Sequence, residues 1–224
     1  MNNYSEKIID YLIRNRVSTT EVADALNKTG VLPELTPVNR GHYKVGKVKW
    51  IYAYEKSNWS VHEQIQNIEE DCIILVDTFN CGDRAVFGEL VSKYLILYRR
   101  SRALIVQGKM RDAAGLIREN WPIWCKGFTP VGCFNQQPEY EFDLTIRNQY
   151  FEKYENSIAV CDDCGVVIIP KEKNTKDFLD ILQHIEKQED IWFDRLDHYK
   201  ENTFEIVCEK KYLNDDAYMN GRNL

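Results

Sequence analysis

Two short stretches carry residue types able to do chemistry together. Gly88-Glu89-Leu90-Val91 falls near the start of an expected helix that follows a strand and a turn. Free backbone N–H groups and the helix dipole favour an anion there. Gly108-Lys109-Met110-Arg111-Asp112 falls at the carboxyl end of the next expected strand, the end at which open α/β sheets bind ligands. An arginine can take a carboxylate through two parallel hydrogen bonds. An adjacent aspartate can hold a hard cation such as Mg²⁺, with waters completing the shell, and Glu89 could join that shell. The same residues also allow a plainer arrangement, an Arg111–Asp112 ion pair with Asp112 capping the following helix.

Other chemical signals are weaker. The chain has no GxxxxGK, GxGxxG, GxSxG or HExxH motif. Cys161-x-x-Cys164 lacks a second pair, and a strand-like Gly165-Val-Val-Ile-Ile follows it. Two soft ligands do not complete a zinc site, so both thiols are expected to be reduced. His42, His62, His184 and His198 show no metal-ligand spacing.

The elements that would position Glu89 and Arg111 can be read from the pattern. Ile8, Ile9, Leu12 and Ile13 recur at helical spacing over residues 4–15. Ser18 with Glu21 is a capping box that opens a helix to about Lys28. Residues 31–42 read as loop and Tyr43–Tyr54 as strand. Ser60 with Glu63 suggests a second capping box, opening a short helix to about Asn67. Cys72–Val76 and Ala103–Val106 are continuous apolar runs, as strands buried on both faces require. Residues 86–99 and 112–120 read as helices and Trp121–Cys125 as a strand, which gives a βαβ alternation and a largely parallel sheet. Residues 132–157 are polar and aromatic with weak periodicity. Ser157–Val160 and Val166–Ile169 read as a hairpin, residues 174–199 as a long helix, and Phe204–Cys208 as a possible strand.

Composition narrows the class. There are 29 Lys+Arg against 35 Asp+Glu in 224 residues, for a net charge of −6, and this acidic balance argues against direct nucleic-acid binding. No apolar run is long enough to span a membrane, the N-terminal residues do not read as a signal peptide, and an odd number of cysteines, 7, suits a reducing cytoplasm. A single domain over residues 1–200 with an extension over 201–224 is the simplest organisation.

Taken in order, Ser18–Gly30, Val76-Asp77, Gly88-Glu-Leu, Gly108-Lys-Met-Arg-Asp112 and Asp162-Asp-Cys-Gly-Val-Val-Ile-Ile-Pro170 resemble the RraA-like family. That family joins the regulator of ribonuclease E activity A with the class II 4-hydroxy-4-methyl-2-oxoglutarate aldolases. The resemblance implies an α/β/β sandwich of the swivelling-domain type, with a mostly parallel sheet and a long C-terminal helix. It also implies a homotrimer or hexamer with sites between subunits. On that pattern Arg111 and the amides of Leu90 and Val91 bind the substrate carboxylate, Asp112 holds a divalent Mg²⁺ or Mn²⁺, and Glu89 assists catalysis. A further acid would come from a neighbouring subunit's C-terminal helix, Glu189 first and Glu186 second.

The chain departs from the family pattern in places. Leu90 to Met110 is one residue longer than the pattern. The extra residue could be absorbed at Arg99-Arg100-Ser101, or inside the helix, where it would rotate Glu89 away. Gln107 stands where Asp is common, and Tyr154-Glu155-Asn156 replaces Pro-Gly-Asp. The implied activity is metal-assisted cleavage of a pyruvate-bearing oxo-acid, by retro-aldol reaction or oxaloacetate decarboxylation. The competing class is a non-catalytic regulator that binds an RNA-degrading enzyme. A specialised substrate is a third expectation, from Tyr140, Phe142, Tyr150, Phe151 and Tyr154, although such aromatics more often pack on a core or an interface.

Overall fold

The computed structural model describes residues 4–214. The chain divides into two compact units, the first running to Leu179 and the second beginning at Asp180. This division falls inside the long C-terminal helix.

The first unit is organised around β3 (Ile73–Phe79) and β4 (Ala103–Gln107). Ile73–Val76 and Ala103–Val106 are wholly buried, so both faces of these strands must be covered. β2 (Lys44–Tyr54) and β5 (Ile123–Cys125) flank them, and all four strands are parallel. β1 (Thr36–Pro37) adds antiparallel to β5. β6 (Ile158–Asp162) and β7 (Gly165–Ile169) form the expected hairpin. The sheet order is β1-β5-β4-β3-β2-β6-β7. Strand β2 serves two layers: Lys44–Lys47 pair with β6, whereas Val48–Tyr54 pair with β3.

The two faces of the parallel strands bury different partners. Ile74, Val76, Leu104 and Val106 pack against helical residues including Val61, Val91, Leu95 and Leu116. Trp50, Leu75, Ile105 and Trp124 pack against Ala159, Cys161, Val166 and Ile168 of the hairpin. The layers are therefore α/β/β, as expected. Each fully buried Leu or Ile contributes about 1.5–3 kcal/mol relative to exposure.

The helices reveal where local reading succeeds and where it fails. α1 (Tyr4–Asn15) buries Ile8, Ile9 and Leu12. α2 (Thr19–Ala25) opens on the complete Ser18/Glu21 capping box. It stops before Lys28 because Asn27 and Lys28 turn to φ 57° and 62°. α3 (Trp59–Gln64) begins at Asn58 instead of Ser60; the Ser60 hydroxyl is committed to the Tyr52 carbonyl at 2.9 Å. α4 (Glu89–Lys93) runs directly into a π-helical turn, Tyr94–Tyr98. α5 covers Ala113–Arg118.

Residues 132–157 hold a helix the periodicity did not show, α6 (Leu144–Tyr154), capped by Asp143 accepting from the N–H groups of Thr145 and Ile146. Phe142 and Tyr150 lie half-buried on the aromatic side of the core and Tyr154 is buried, while Tyr140 and Phe151 are exposed. α7 spans Lys176–Tyr199, and the Thr175 hydroxyl accepts from Phe178 N–H at its start. Within the second unit, Tyr212 Oη accepts from Gln188 Nε2 and Trp192 Nε1 at 3.2 and 3.3 Å. Phe204–Cys208 is a π-helical turn rather than a strand. No helix among the described residues is long and apolar enough to cross a membrane.

Candidate active site

The starts of α4 and α5 meet at the carboxyl end of the parallel strands. Phe87 O accepts from Arg111 N–H at 3.1 Å, and Val86 N–H donates to Lys109 O at 2.9 Å. These bonds lock the segment before α4 onto the segment before α5. Asp112 occupies the cap position of α5 with φ 61°, ψ 38°, and its side chain makes no capping bond to that helix. Its Oδ2 instead accepts from Glu89 N–H at 3.1 Å, across to α4. A left-handed conformation is tolerated by Asp but costs energy, and here it turns the carboxylate toward the start of α4. Arg111 Nε lies 3.7 Å from the same oxygen, so the ion pair anticipated from the sequence is present, but Asp112 caps the neighbouring helix, not its own.

Close approach at the site depends on missing side chains. A methyl group added at Gly88 would sit 2.1 Å from Asp112 Oδ2, and one at Gly132 would sit 2.8 Å from Arg111 Nη1. Gly115 leaves space for the Glu89 carboxylate in the same way, with an added methyl 2.1 Å from Glu89 Oε2. An isolated glycine inside a helix pattern was the available signal for Gly115; Gly132 gave none.

The first intrahelical bond of α4 runs from Ser92 N–H to Gly88 O. Glu89 N–H is taken by Asp112, and the amides of Leu90 and Val91 have no protein acceptor among the described residues. Together with the half-exposed Arg111 guanidinium, they form a site suited to a carboxylate. Between Leu90 and Met110 the helix passes through the π turn, where Arg99 N–H reaches back to Tyr94 O at 2.9 Å. A π turn accommodates a single inserted residue. The π turn comes after the first turn of α4, which begins at Glu89.

Only part of the expected constellation converges. Arg111, Asp112, Leu90 and Val91 come together. The Glu89 backbone joins them, but its side chain turns to α5, where Arg118 Nη2 donates to Glu89 Oε1 at 3.2 Å. Arg118 was not singled out in the sequence, since only the tertiary packing of α4 on α5 reveals it. Glu186 and Glu189 lie on α7 in the second unit. Among the described residues no cluster of three or more His, Cys, Asp or Glu is placed to hold a metal. Asp112 alone is a hard donor of the kind that holds Mg²⁺ together with substrate oxygens and water. The donor set present therefore fits an ion shared with substrate, not one caged by protein. Of the paired cysteines, Cys161 is buried in β6 and Cys164 is exposed in the turn.

Leu90 is 80 % exposed, and Ile117 on α5, Phe128 opposite Met110, and Val131 beside Gly132 are also exposed. The rim of the site is thus apolar and open.

Comparison with known proteins places these features in a family. The RraA-like family, described as Aldolase/RraA, matches residues 19–168. A Halalkalibacterium halodurans protein provisionally named as a 4-hydroxy-4-methyl-2-oxoglutarate aldolase is 24 % identical over 172 residues, covering 75 % of this chain and 80 % of that one. Protein DlpA of Legionella pneumophila is 24 % identical over 166 residues, 70 % of this chain, which spans only 26 % of DlpA. The crystal structure of Streptomyces coelicolor RraAS2, described as an unusual member of the RNase ES inhibitor RraA family, superposes with a TM-score of 0.64. It is 21 % identical, with 84 % of this chain and 98 % of that one covered.

Proposed function

The chain belongs to the RraA-like family, and from that premise we propose that it is a divalent-metal-dependent lyase cleaving a pyruvate-bearing oxo-acid. The substrates in view are oxaloacetate and acids of the 4-hydroxy-4-methyl-2-oxoglutarate type. The observation that carries this reading is the turn of Asp112 toward the start of α4, which brings one carboxylate and one guanidinium to the two free amides there. Arg111 holds the substrate carboxylate, and the Leu90 and Val91 N–H groups share its charge. Asp112 would hold Mg²⁺ or Mn²⁺, which supplies Lewis-acid stabilisation of the charge that builds on the 2-oxo oxygen as the carbon–carbon bond breaks. The electron pair of that bond stays with the pyruvate fragment as CO2 leaves oxaloacetate or, in the retro-aldol case, as the hydroxyl gives its proton to water and becomes a carbonyl. The pyruvate fragment then takes up a proton. Glu89 delivers this proton only by leaving Arg118, so the partner subunit's Glu189 is the first acid to test. The apolar rim supports assembly into a trimer or hexamer that closes the opening.

A second reading is favoured by the same rim and by the net charge of −6. In it the protein is a regulator that docks on a basic segment of an RNA-degrading enzyme. One experiment separates the two. Pyruvate release from both oxo-acids is followed with Mg²⁺ or Mn²⁺, with and without a chelator. Release above that of the metal alone, lost in Arg111→Ala, supports the lyase. Release no greater than metal alone for every oxo-acid tried rejects it and leaves the regulator.

A further inference from the structure

A second opening lies on the other face of the parallel sheet. It is a cleft of about 670 Å³ between α6, the loop Gly30–Pro33 and the segment after β7. Gln107 forms its floor at the carboxyl end of β4. Residues alternate faces along a strand, so Gln107 shares the hairpin-facing side with Ile105, while α4 and α5 cover the opposite side. The cleft is therefore separate from the Arg111–Asp112 opening.

Its polar groups are set by buried contacts. Asp77, buried and directly opposite Gln107 in the ladder, accepts from Gln107 Nε2 at 2.6 Å and from Trp50 Nε1 at 2.8 Å. Committing Nε2 inward fixes the amide and leaves Gln107 Oε1 to accept from an occupant. The Lys153 ammonium stands 4.7 Å from the Tyr154 ring centroid. It interacts with the Tyr154 hydroxyl and feels the charge of buried Asp77, but it is in no direct salt bridge among the described residues, whereas Lys171 is paired with Glu152 at 2.6 Å. Leu32, Pro33 and Ile168 supply apolar wall, and Glu152 and Glu172 stand at the rim.

We propose that this cleft binds a small monoanionic hydroxy acid with an apolar side chain. Its carboxylate pairs with Lys153, its hydroxyl donates to Gln107 Oε1, and its body lies on Leu32 and Pro33. Lys171 already neutralises Glu152, and a second carboxylate on the ligand would meet Glu172, so dianions are disfavoured. The amide at β4, held from behind by Asp77, and the cation on α6 are well-placed polar groups beside the apolar wall of a concave site. The site depends on α6, which ends at Tyr154, where the chain departs from its family pattern.

The test is calorimetric titration of the intact protein with 3-phenyllactate. Saturable binding, one probe per chain, is expected. Lys153→Met should weaken it about tenfold or more, as loss of a charge-assisted contact does, and Lys153→Arg should restore most of it. 3-Phenylpropionate, which lacks the hydroxyl, should bind more weakly, and phenylsuccinate, a dianion, more weakly still. Arg111→Ala should leave the titration unchanged. No saturation at millimolar probe, equal binding by Lys153→Met, or loss of binding in Arg111→Ala would each overturn the proposal. The last outcome would show that the probe occupies the other opening, and none of the three bears on pyruvate release.

Discussion

Replacing Asp112 by Asn separates the chemistry of the candidate site from its architecture. In the structure the Asp112 side chain accepts from Glu89 N–H at 3.1 Å and stands in a half-exposed ion pair with Arg111 Nε at 3.7 Å, a contact of small worth at that exposure, and its backbone sits at φ 61°. Asn retains an oxygen acceptor for that N–H and shares the tolerance of Asp for left-handed backbone. The carboxylate is nearly half exposed, so losing its charge at the start of α4 costs only about 0.3–1 kcal/mol. Folding should therefore change little. The charge matters to the reaction, because a neutral amide is a poor ligand for a hard cation. Removing one electrostatic stabiliser of a developing anion costs roughly 2–4 kcal/mol in the transition state, equivalent to a loss of about thirty- to several-hundredfold in rate. The assay pairs urea unfolding with pyruvate release from oxaloacetate at saturating Mg²⁺. A variant that unfolds like the wild type and releases pyruvate within a few-fold of it would refute the placement of Asp112 in the reaction.

Burial pushes the Asp77 carboxyl from 3.8 up to about 6, against the pull of its bonds from Trp50 and Gln107. A raised folded-state value means that the native protein binds more protons than the unfolded chain, so this group's contribution falls as pH rises from about 4 to about 6. Asp77→Asn loses one of the two acceptor oxygens at any pH, but its stability relative to wild type should be more favourable at pH 7 than at pH 4 by up to about 3 kcal/mol; equal shifts in urea midpoint at the two values would contradict this. Glu155 is buried and accepts from Trp50 N–H at 2.9 Å and Lys49 Nζ at 2.8 Å. Glu155→Ala should destabilise by about 1–3 kcal/mol by stranding that N–H, and an unchanged unfolding midpoint would count against it. An alkylating reagent should modify exposed Cys164 and Cys208 in the native protein and buried Cys161 only after denaturation, as peptide mass mapping would reveal.

What the sequence made legible was what local chemistry decides. Ser18 and Glu21 announced α2 because both halves of a capping box lie within one turn, and the uninterrupted apolar runs at 73–76 and 103–106 announced the central strands. Ser60 and Glu63 offered the same capping spelling and misled, since the Tyr52 carbonyl claims the Ser60 hydroxyl first. α6 was hidden because it lies on the surface with aromatics on more than one side, so its apolar residues mark no single stripe. Phe204–Cys208 has strand-forming residues but no neighbouring strand to pair with among those described. At the site, Arg111, Asp112 and the α4 amides were readable from order and spacing. The commitment of Glu89 to Arg118, the glycine contacts and the role of Asp77 beneath Gln107 were not, because each depends on which segments meet in space.

The double membership of β2 has a consequence for how the chain is made. Its second half finds β3 only about twenty-five residues later, but its first half must wait for β6, more than a hundred residues downstream. During synthesis the parallel layer is available to close first, because loop closure over short separations is fast and over long ones slow. Until Ile158 emerges, Trp50, Leu75, Ile105 and Trp124 have no hairpin to cover them, and the edge of β2 at Lys44–Lys47 stands unpaired. A nascent chain at that stage presents a sticky, strand-ready surface, so the interval between the two pairings is the period in which this protein is most exposed to misassembly and most in need of a chaperone.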